Sequence, residues 1–310
     1  MEITELLNIK YPLFQGAMAN ISDGTFAATV SNAGGLGIIG TGSNDAKWLK
    51  KEIVACRKMT RKPFGVNVVL LSPFANELID LIIKERIKVI TTGAGNPSQY
   101  MERLKAAGVK VIPVVASVSL AKRMEKMGAD AIIAEGTESG GHVGEITTMA
   151  LVPQVVDAVK IPVIAAGGIA DNRGVAASYM LGAKGIQIGT AFLATIECPI
   201  HDNYKRMIIQ ATDSSTVVTG RGIAPVRVIK NPMALEYLKI MRETELDTIR
   251  LEKLTIGSLK NAIEFGDIDA GSFMAGQIAG LVKELRTVEE VIEDLFIGID
   301  DYISSVKVIK

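Results

Sequence analysis

Short apolar runs recur along the first two-thirds of the chain, each followed by an amphipathic stretch. The runs are Pro12–Gln15, Leu36–Ile39, Phe64–Val68, Val89–Thr92, Val109–Val115, Ala131–Ala134, Val163–Ala166 and Ile186–Gly189. They are rich in Val and Ile, apolar on both faces, and bounded by Gly, Asn or Pro. That is the pattern of parallel strands buried on both sides. Between them, Pro73–Lys84, Pro97–Ala107, Ser117–Met127 and Leu151–Val159 carry apolar residues at helical spacing. A repeat of roughly 20–30 residues is the length of a strand plus its crossover helix. Eight such units predict an α/β fold, a (β/α)8 TIM barrel over residues 1–211, with an open doubly wound sheet as the alternative.

After about Ala194 the rhythm stops. Residues 212–271 are expected to form a smaller, mostly helical lid domain inserted before the C-terminal helix. Residues 272–310 then read as a glycine-rich covering segment followed by a helix, Val288–Ile303, that returns to the barrel. Acidic residues in the first turn of that helix suit its dipole.

Composition narrows this without changing it. The chain has 310 residues, enough for a barrel of ~250 plus an appendage. Apolar residues make up 48% and aromatics only 5%, so aliphatic layers fill the interior. The 34 basic and 34 acidic residues cancel, which argues against a general nucleic-acid binder. Cys56 and Cys198 form no CxxC and have no ligand-like neighbours, so they read as reduced thiols, and no metal set is expected. The acidic N-terminus lacks secretory character, and no run of about 18 apolar residues could span a membrane. A cytoplasmic protein is expected.

In barrels the loops after the strands carry the chemistry. Strand seven ends Ala165-Ala166-Gly167-Gly168-Ile169-Ala170-Asp171, and strand eight ends Gln187-Ile188-Gly189-Thr190. Paired glycines let the backbone approach an anion, Asp171 can cap the following helix, and Gly189 and Thr190 add further donors. Two such loops on neighbouring strands predict a bound phosphate; simple tight turns are the plain alternative. Strand one runs into Gly16-Ala17-Met18, small residues with open backbone that a flat ring could lie against. Asn67, at the top of strand three, can donate and accept at once. The loop after strand six, Glu135-Gly136-Thr137-Glu138-Ser139-Gly140-Gly141-His142-Val143-Gly144, places one of only two histidines on the catalytic face. A histidine there can relay a proton or hold a carbonyl. His201 reads as structural, and nothing fixes Glu135 and Glu138 as an acid–base pair. Ala33-Gly34-Gly35-Leu36-Gly37 precedes a strand, so it is turn chemistry rather than a dinucleotide loop.

These motifs, with Tyr11-Pro12-Leu13-Phe14-Gln15-Gly16, Lys62-Pro63-Phe64-Gly65-Val66-Asn67, Thr92-Gly93-Ala94-Gly95-Asn96-Pro97 and Met274-Ala275-Gly276-Gln277-Ile278-Ala279-Gly280, carry a family resemblance over nearly the whole chain. The sequence resembles the flavin-dependent enoyl-[acyl-carrier-protein] reductase II family (the FabK type), within the nitronate monooxygenase-like superfamily. The resemblance implies FMN held by Gly16, Ala17, Met18, Asn67, Gly141, Gly167, Gly168, Gln187, Gly189 and Thr190, with Met274 and Gln277 covering it. It implies His142 as the catalytic residue beside the ring. It further implies NADH or NADPH as hydride donor, an enoyl thioester on acyl carrier protein as acceptor, and a homodimer; some members also need a monovalent cation. Arg221, Arg227 and Lys230 are candidates for receiving the acidic carrier. The alternative within the superfamily is a nitronate monooxygenase using the same FMN barrel and O2. One departure stands out: where the family loop often reads Gly-Gly-Met-Ala-Trp, this chain has Gly16-Ala17-Met18-Ala19-Asn20.

Overall fold

The computed structural model describes residues 2–243 and 247–305. Eight parallel strands form one sheet: β1 (Leu13–Gln15), β2 (Gly37–Gly40), β3 (Phe64–Val69), β4 (Val89–Gly93), β5 (Lys110–Val115), β6 (Ile132–Glu135), β7 (Val163–Ala166) and β8 (Gly185–Ile188). Each strand pairs with its sequence neighbour, and β8 pairs with β1. Hydrogen bonds from Leu36 N–H to Leu13 O (2.8 Å) and from Gln15 N–H to Leu36 O (2.9 Å) bring β2 against β1. The sheet therefore closes on itself, and the fold is a (β/α)8 TIM barrel.

Burial along the strands sorts the two faces. Phe14, Ile38, Val89, Ile112, Ile133, Ile164 and Ala166 share one apolar cluster with Ile3 and Leu7. That cluster is the barrel interior, and the N-terminal helix Ile3–Leu7 plugs its floor. Alternate residues such as Val66, Ile90, Ile132, Ala165 and Ile186 pack outward against the helices. Period-two alternation then fixes which residues line the barrel mouth.

The helices start where the sequence supplies a cap. Asp23, Asp45, Ser117, Asp171 and Asn231 each accept a backbone N–H in the first turn of a helix, a bond that satisfies one donor the helix cannot use. The expected last helix is split: Val288–Phe296 and Ile299–Ser305 flank Gly298, whose φ of +69° breaks the helical path. The first part returns to the barrel, where Phe296 stacks on Tyr11 at 4.9 Å. Residues 306–310 of the expected covering segment lie outside the described residues.

Residues 212–271 hold a hairpin besides their helices: Thr216–Thr219 and Val226–Ile229 pair antiparallel. Its second strand also pairs with Gly141–His142, making a three-stranded sheet. β-branched residues dominate both arms, and they favour extended backbone. Helices Pro232–Ile240 and Thr248–Thr255 follow, packed on a small core of Tyr237, Ile240 and Leu251. Among the described residues no helix is long and apolar enough to cross a membrane.

Candidate active site

At the top of the barrel the inward positions are Gly16, Gly40, Asn67, Gly93, Val114, Glu135, Ala166 and Gln187. Small residues at four of the strand ends leave room for a flat ligand. Asn67 donates from Nδ2 to Thr91 Oγ1 at 2.9 Å, while its Oδ1 has no partner among the described residues. Gln187 is buried in β8 and makes no side-chain hydrogen bond among the described residues. Both amides are thus available to a polar ring edge.

The loops after β7 and β8 form one concave corner. Gly167 and Gly168 sit at φ of +93° and +76°, where a side chain would strain the backbone. A Cβ on Gly189 would meet only the Met18 sulfur, at 3.8 Å, and one on Gly168 only the Glu138 side chain, at 3.5 Å. The space beside them is therefore empty, and a group brought there can touch backbone. The N–H groups of Gly168, Gly189 and Thr190 have no partner among the described residues. Unused donors in a cradle without side chains are what a phosphate requires. The residues therefore fit the phosphate of an FMN, and the small-residue mouth fits its ring.

Other segments fasten this corner. Thr190 Oγ1 accepts from Gly276 N–H at 2.9 Å, which leaves its own proton free to donate outward. Gln277 N–H donates to Glu138 O at 2.9 Å, and Tyr204 donates its hydroxyl proton to Met274 O at 2.7 Å. The Gln277 side chain itself is exposed, so only its backbone belongs to this corner. Gly16 N–H bonds Ile188 O at 2.7 Å, placing Gly16–Met18 beside β8. Asn20, at φ of +60° and exposed, stands where the family loop often has Trp. Asn tolerates that left-handed backbone better than a bulky residue.

The histidine loop is built at long range. His142 lies opposite Val226 and Gly141 opposite Arg227. Val143 N–H also donates to Pro225 O at 3.1 Å. Arg227 is buried, contrary to its assignment to an exposed docking rim. Its Nε donates to Thr137 O at 3.0 Å and its Nη1 to Thr216 Oγ1 at 3.2 Å. Burial, with Arg221 nearby, lowers its pKa, opposed by Glu138. Arg221 and Lys230 are exposed. The His142 ring is exposed and has no hydrogen-bond partner among the described residues. A Cβ on Gly141 would lie 3.6 Å from Met274 Sδ, so the covering segment abuts this loop.

The two glutamates part company. Glu138 is occupied: both carboxylate oxygens accept Thr148 N–H at 2.9 Å, and Oε2 also accepts the Thr148 hydroxyl at 3.0 Å. Glu135 makes no such bond, and burial pushes it up to about 7. His201 caps its own helix, Nδ1 accepting from Asn203 N–H at 3.1 Å. Cys56 and Cys198 are buried, and burial pushes both thiols up to about 12, far from the reactive thiolate range.

The family profile for nitronate monooxygenase matches residues 1–80 and 74–298. A solved structure of FabK from Thermotoga maritima superposes with a TM-score of 0.93 and 48% identity, covering 97% of this chain and 96% of that one. A (3aS,4S,5R,7aS)-5-hydroxy-7a-methyl-1-oxo-octahydro-1H-indene-4-carboxyl-CoA dehydrogenase of Mycobacterium tuberculosis is 33% identical, over 94% of both chains. A probable nitronate monooxygenase of Staphylococcus aureus is 40% identical over 70% of this chain and 74% of its own.

Proposed function

From the premise that this chain belongs to the nitronate monooxygenase family and is an oxidoreductase of that group, we propose that it is an FMN-dependent, NAD(P)H-driven reductase of enoyl thioesters carried on acyl carrier protein. The observation that carries the flavin is the barrel mouth, where an empty backbone cradle after β7 and β8 adjoins a seat of small residues flanked by two unpartnered amides. Thioester chemistry is supported by likeness to FabK across nearly the whole chain and to a carboxyl-CoA dehydrogenase. FMN, when bound, supplies the hydride relay between nicotinamide and acceptor.

On this reading, Gly167, Gly168, Gly189 and Thr190 hold the phosphate through N–H groups and one hydroxyl. Gly16, Ala17 and Met18 lie against the ring, Asn67 and Gln187 take its polar edge, and Gly141 and Met274 bound the open side. Gln277 acts only through the backbone bond that fastens this segment to Glu138. His142 orients the thioester carbonyl or passes a proton to the α-carbon as hydride reaches the β-carbon. Arg221 and Lys230 offer positive charge to the acidic carrier. The protein works in the cytoplasm as a homodimer in fatty acid elongation, with a monovalent cation as an added requirement scored by leaving it out.

The second reading, nitronate oxidation by O2, is favoured by the family profile and by the Staphylococcus relative. One experiment separates the two. The purified protein is reduced anaerobically with NADPH or NADH, and then mixed with a crotonyl thioester of acyl carrier protein. Return of the oxidised flavin absorbance without O2 is the expected result. No reoxidation by the thioester, together with aerobic turnover of a nitronate, would favour the second reading. A protein that purifies colourless and takes up no FMN would sink both.

A further inference from the structure

Glu135 is the only ionisable side chain among the inward positions at the tops of the eight strands. Its direction follows from its neighbours. Ala131 and Ile133 belong to the interior cluster, while Ile132 and Ala134 pack outward, so the next residue of β6 turns inward. It lies in register with Ala166 of β7, which in turn pairs with Gln187 of β8. The carboxylate thus shares the layer on which the ring would rest.

It is also a carboxylate with no cationic partner among the described residues. The one side-chain donor that acts on it is the Ser139 hydroxyl, which is buried and bonds nothing else among the described residues. The charged groups on the surrounding elements are engaged or turned away. Glu138 is bound to Thr148, and Arg227 donates to Thr137 O and Thr216. His142 lies exposed on the hairpin sheet. The facing strands β5 and β7 offer only apolar residues at this level. Burial without a compensating cation pushes Glu135 up to about 7, with Ser139 opposing. A group in that range can change charge under working conditions.

We propose that Glu135 takes up a proton when the bound flavin is reduced and releases it when the flavin is reoxidised. The physical reason is charge. Two-electron reduction of a bound flavin by hydride would add one negative charge to this layer. A second anion in the same half-buried layer, with no fixed cation beside it among the described residues, is disfavoured. Glu135 therefore draws a proton from solvent through the barrel mouth. When a bound flavin is reoxidised, the Glu135 carboxyl would return its proton to solvent by the same route, so the layer ends each cycle with the charge it began with.

The inference rests on the flavin part of the reading above and not on the choice of acceptor. Its test uses the holoprotein alone. The flavin midpoint potential is measured against pH by photoreduction with a reference dye, for the wild type, Glu135→Gln and Glu135→Asp. One extra proton taken up per two electrons changes the equilibrium tenfold per pH unit, or about 30 mV per pH unit. Below pH 7 Glu135 is protonated in both states, so all three proteins should run parallel there. Above pH 7 the wild type should be steeper than E135Q by that amount, and E135D should follow the wild type. Parallel lines for wild type and E135Q above pH 7 would overturn the proposal. If E135Q does not retain FMN, the reduced-minus-oxidised infrared spectrum of the wild type at pH 8 decides. A carboxylic-acid carbonyl band that appears on reduction supports the proposal, and its absence overturns it. A nitronate-oxidising enzyme would give the same result, whereas a protein that binds no flavin would defeat the earlier reading instead.

Discussion

The two ends of the barrel mouth are built by opposite strategies. At the proposed phosphate corner, the groups left free are backbone N–H groups of Gly168, Gly189 and Thr190, within a few residues of β7 and β8. At the proposed reactive end, His142 is held by pairing with a hairpin some eighty residues further along the chain. The corner is local, because the left-handed turns at Gly167 and Gly168 follow directly on the strand that presents them. The reactive loop depends on tertiary contacts, so whatever displaces the hairpin displaces the histidine. A site made this way can hold its cofactor firmly while the side that receives substrate adjusts.

Three substitutions would break or sharpen that contrast. The largest effect is expected from His142→Ala. Reoxidation of the reduced flavin by enoyl thioester should slow on the order of 10²-fold or more, the usual worth of a positioned proton donor. Flavin content should be unchanged, and stopped-flow absorbance reads both; an unaltered rate removes His142 from the chemistry. Gly189→Val attacks the other end. Gly189 lies outside the left-handed region, at φ −127° and ψ −59°, and a Cβ there would meet only Met18 Sδ, at 3.8 Å. The fold should survive while the FMN dissociation constant rises about 100-fold, near 3 kcal/mol. Fluorescence titration of apoprotein with FMN checks it, and unchanged affinity would place the phosphate elsewhere.

The smallest effect tests the link between the ends. Arg227→Met keeps most of the side-chain volume but removes the guanidinium bonds to Thr137 and Thr216. With the hairpin less firmly fastened to the histidine loop, acceptor reduction should fall about tenfold, within the worth of a charged hydrogen bond. FMN affinity should stay within about twofold, since the phosphate corner makes no use of Arg227. An equal loss in both measurements would mean that the two ends are not separately built.

Much of this architecture was legible along the chain. The eight strands fall within one or two residues of the Val- and Ile-rich runs, because a strand buried on both faces leaves an unbroken apolar stretch. The glycine corner was legible for a related reason: its geometry is fixed by residue types that sit next to one another. The hairpin was legible in principle too. Thr216-Val217-Val218-Thr219 and Val226-Arg227-Val228-Ile229 are β-branched runs separated by a Gly220-Arg221-Gly222 turn. Two four-residue runs are too short to stand out from the helical segments that follow them.

Arg227 shows the limit of such reading. As a letter it is a surface cation; in the fold it is buried, because the pairing of Val226–Ile229 with Gly141–His142 turns it onto Thr137. The two glutamates of the histidine loop teach the same lesson. Sequence offers Glu135 and Glu138 as equals, three residues apart. One turns out to bind Thr148, and the other turns into the barrel mouth with only the Ser139 hydroxyl acting on it. The sequence by itself determined the barrel and its glycine corner, since both arise from local periodicity and backbone freedom. Which histidine contacts, which arginine is spent and which carboxylate is left with only a hydroxyl acting on it were decided only by tertiary structure. Hydrogen-bond partners and burial are properties of segments brought together from far apart, and no local pattern records them.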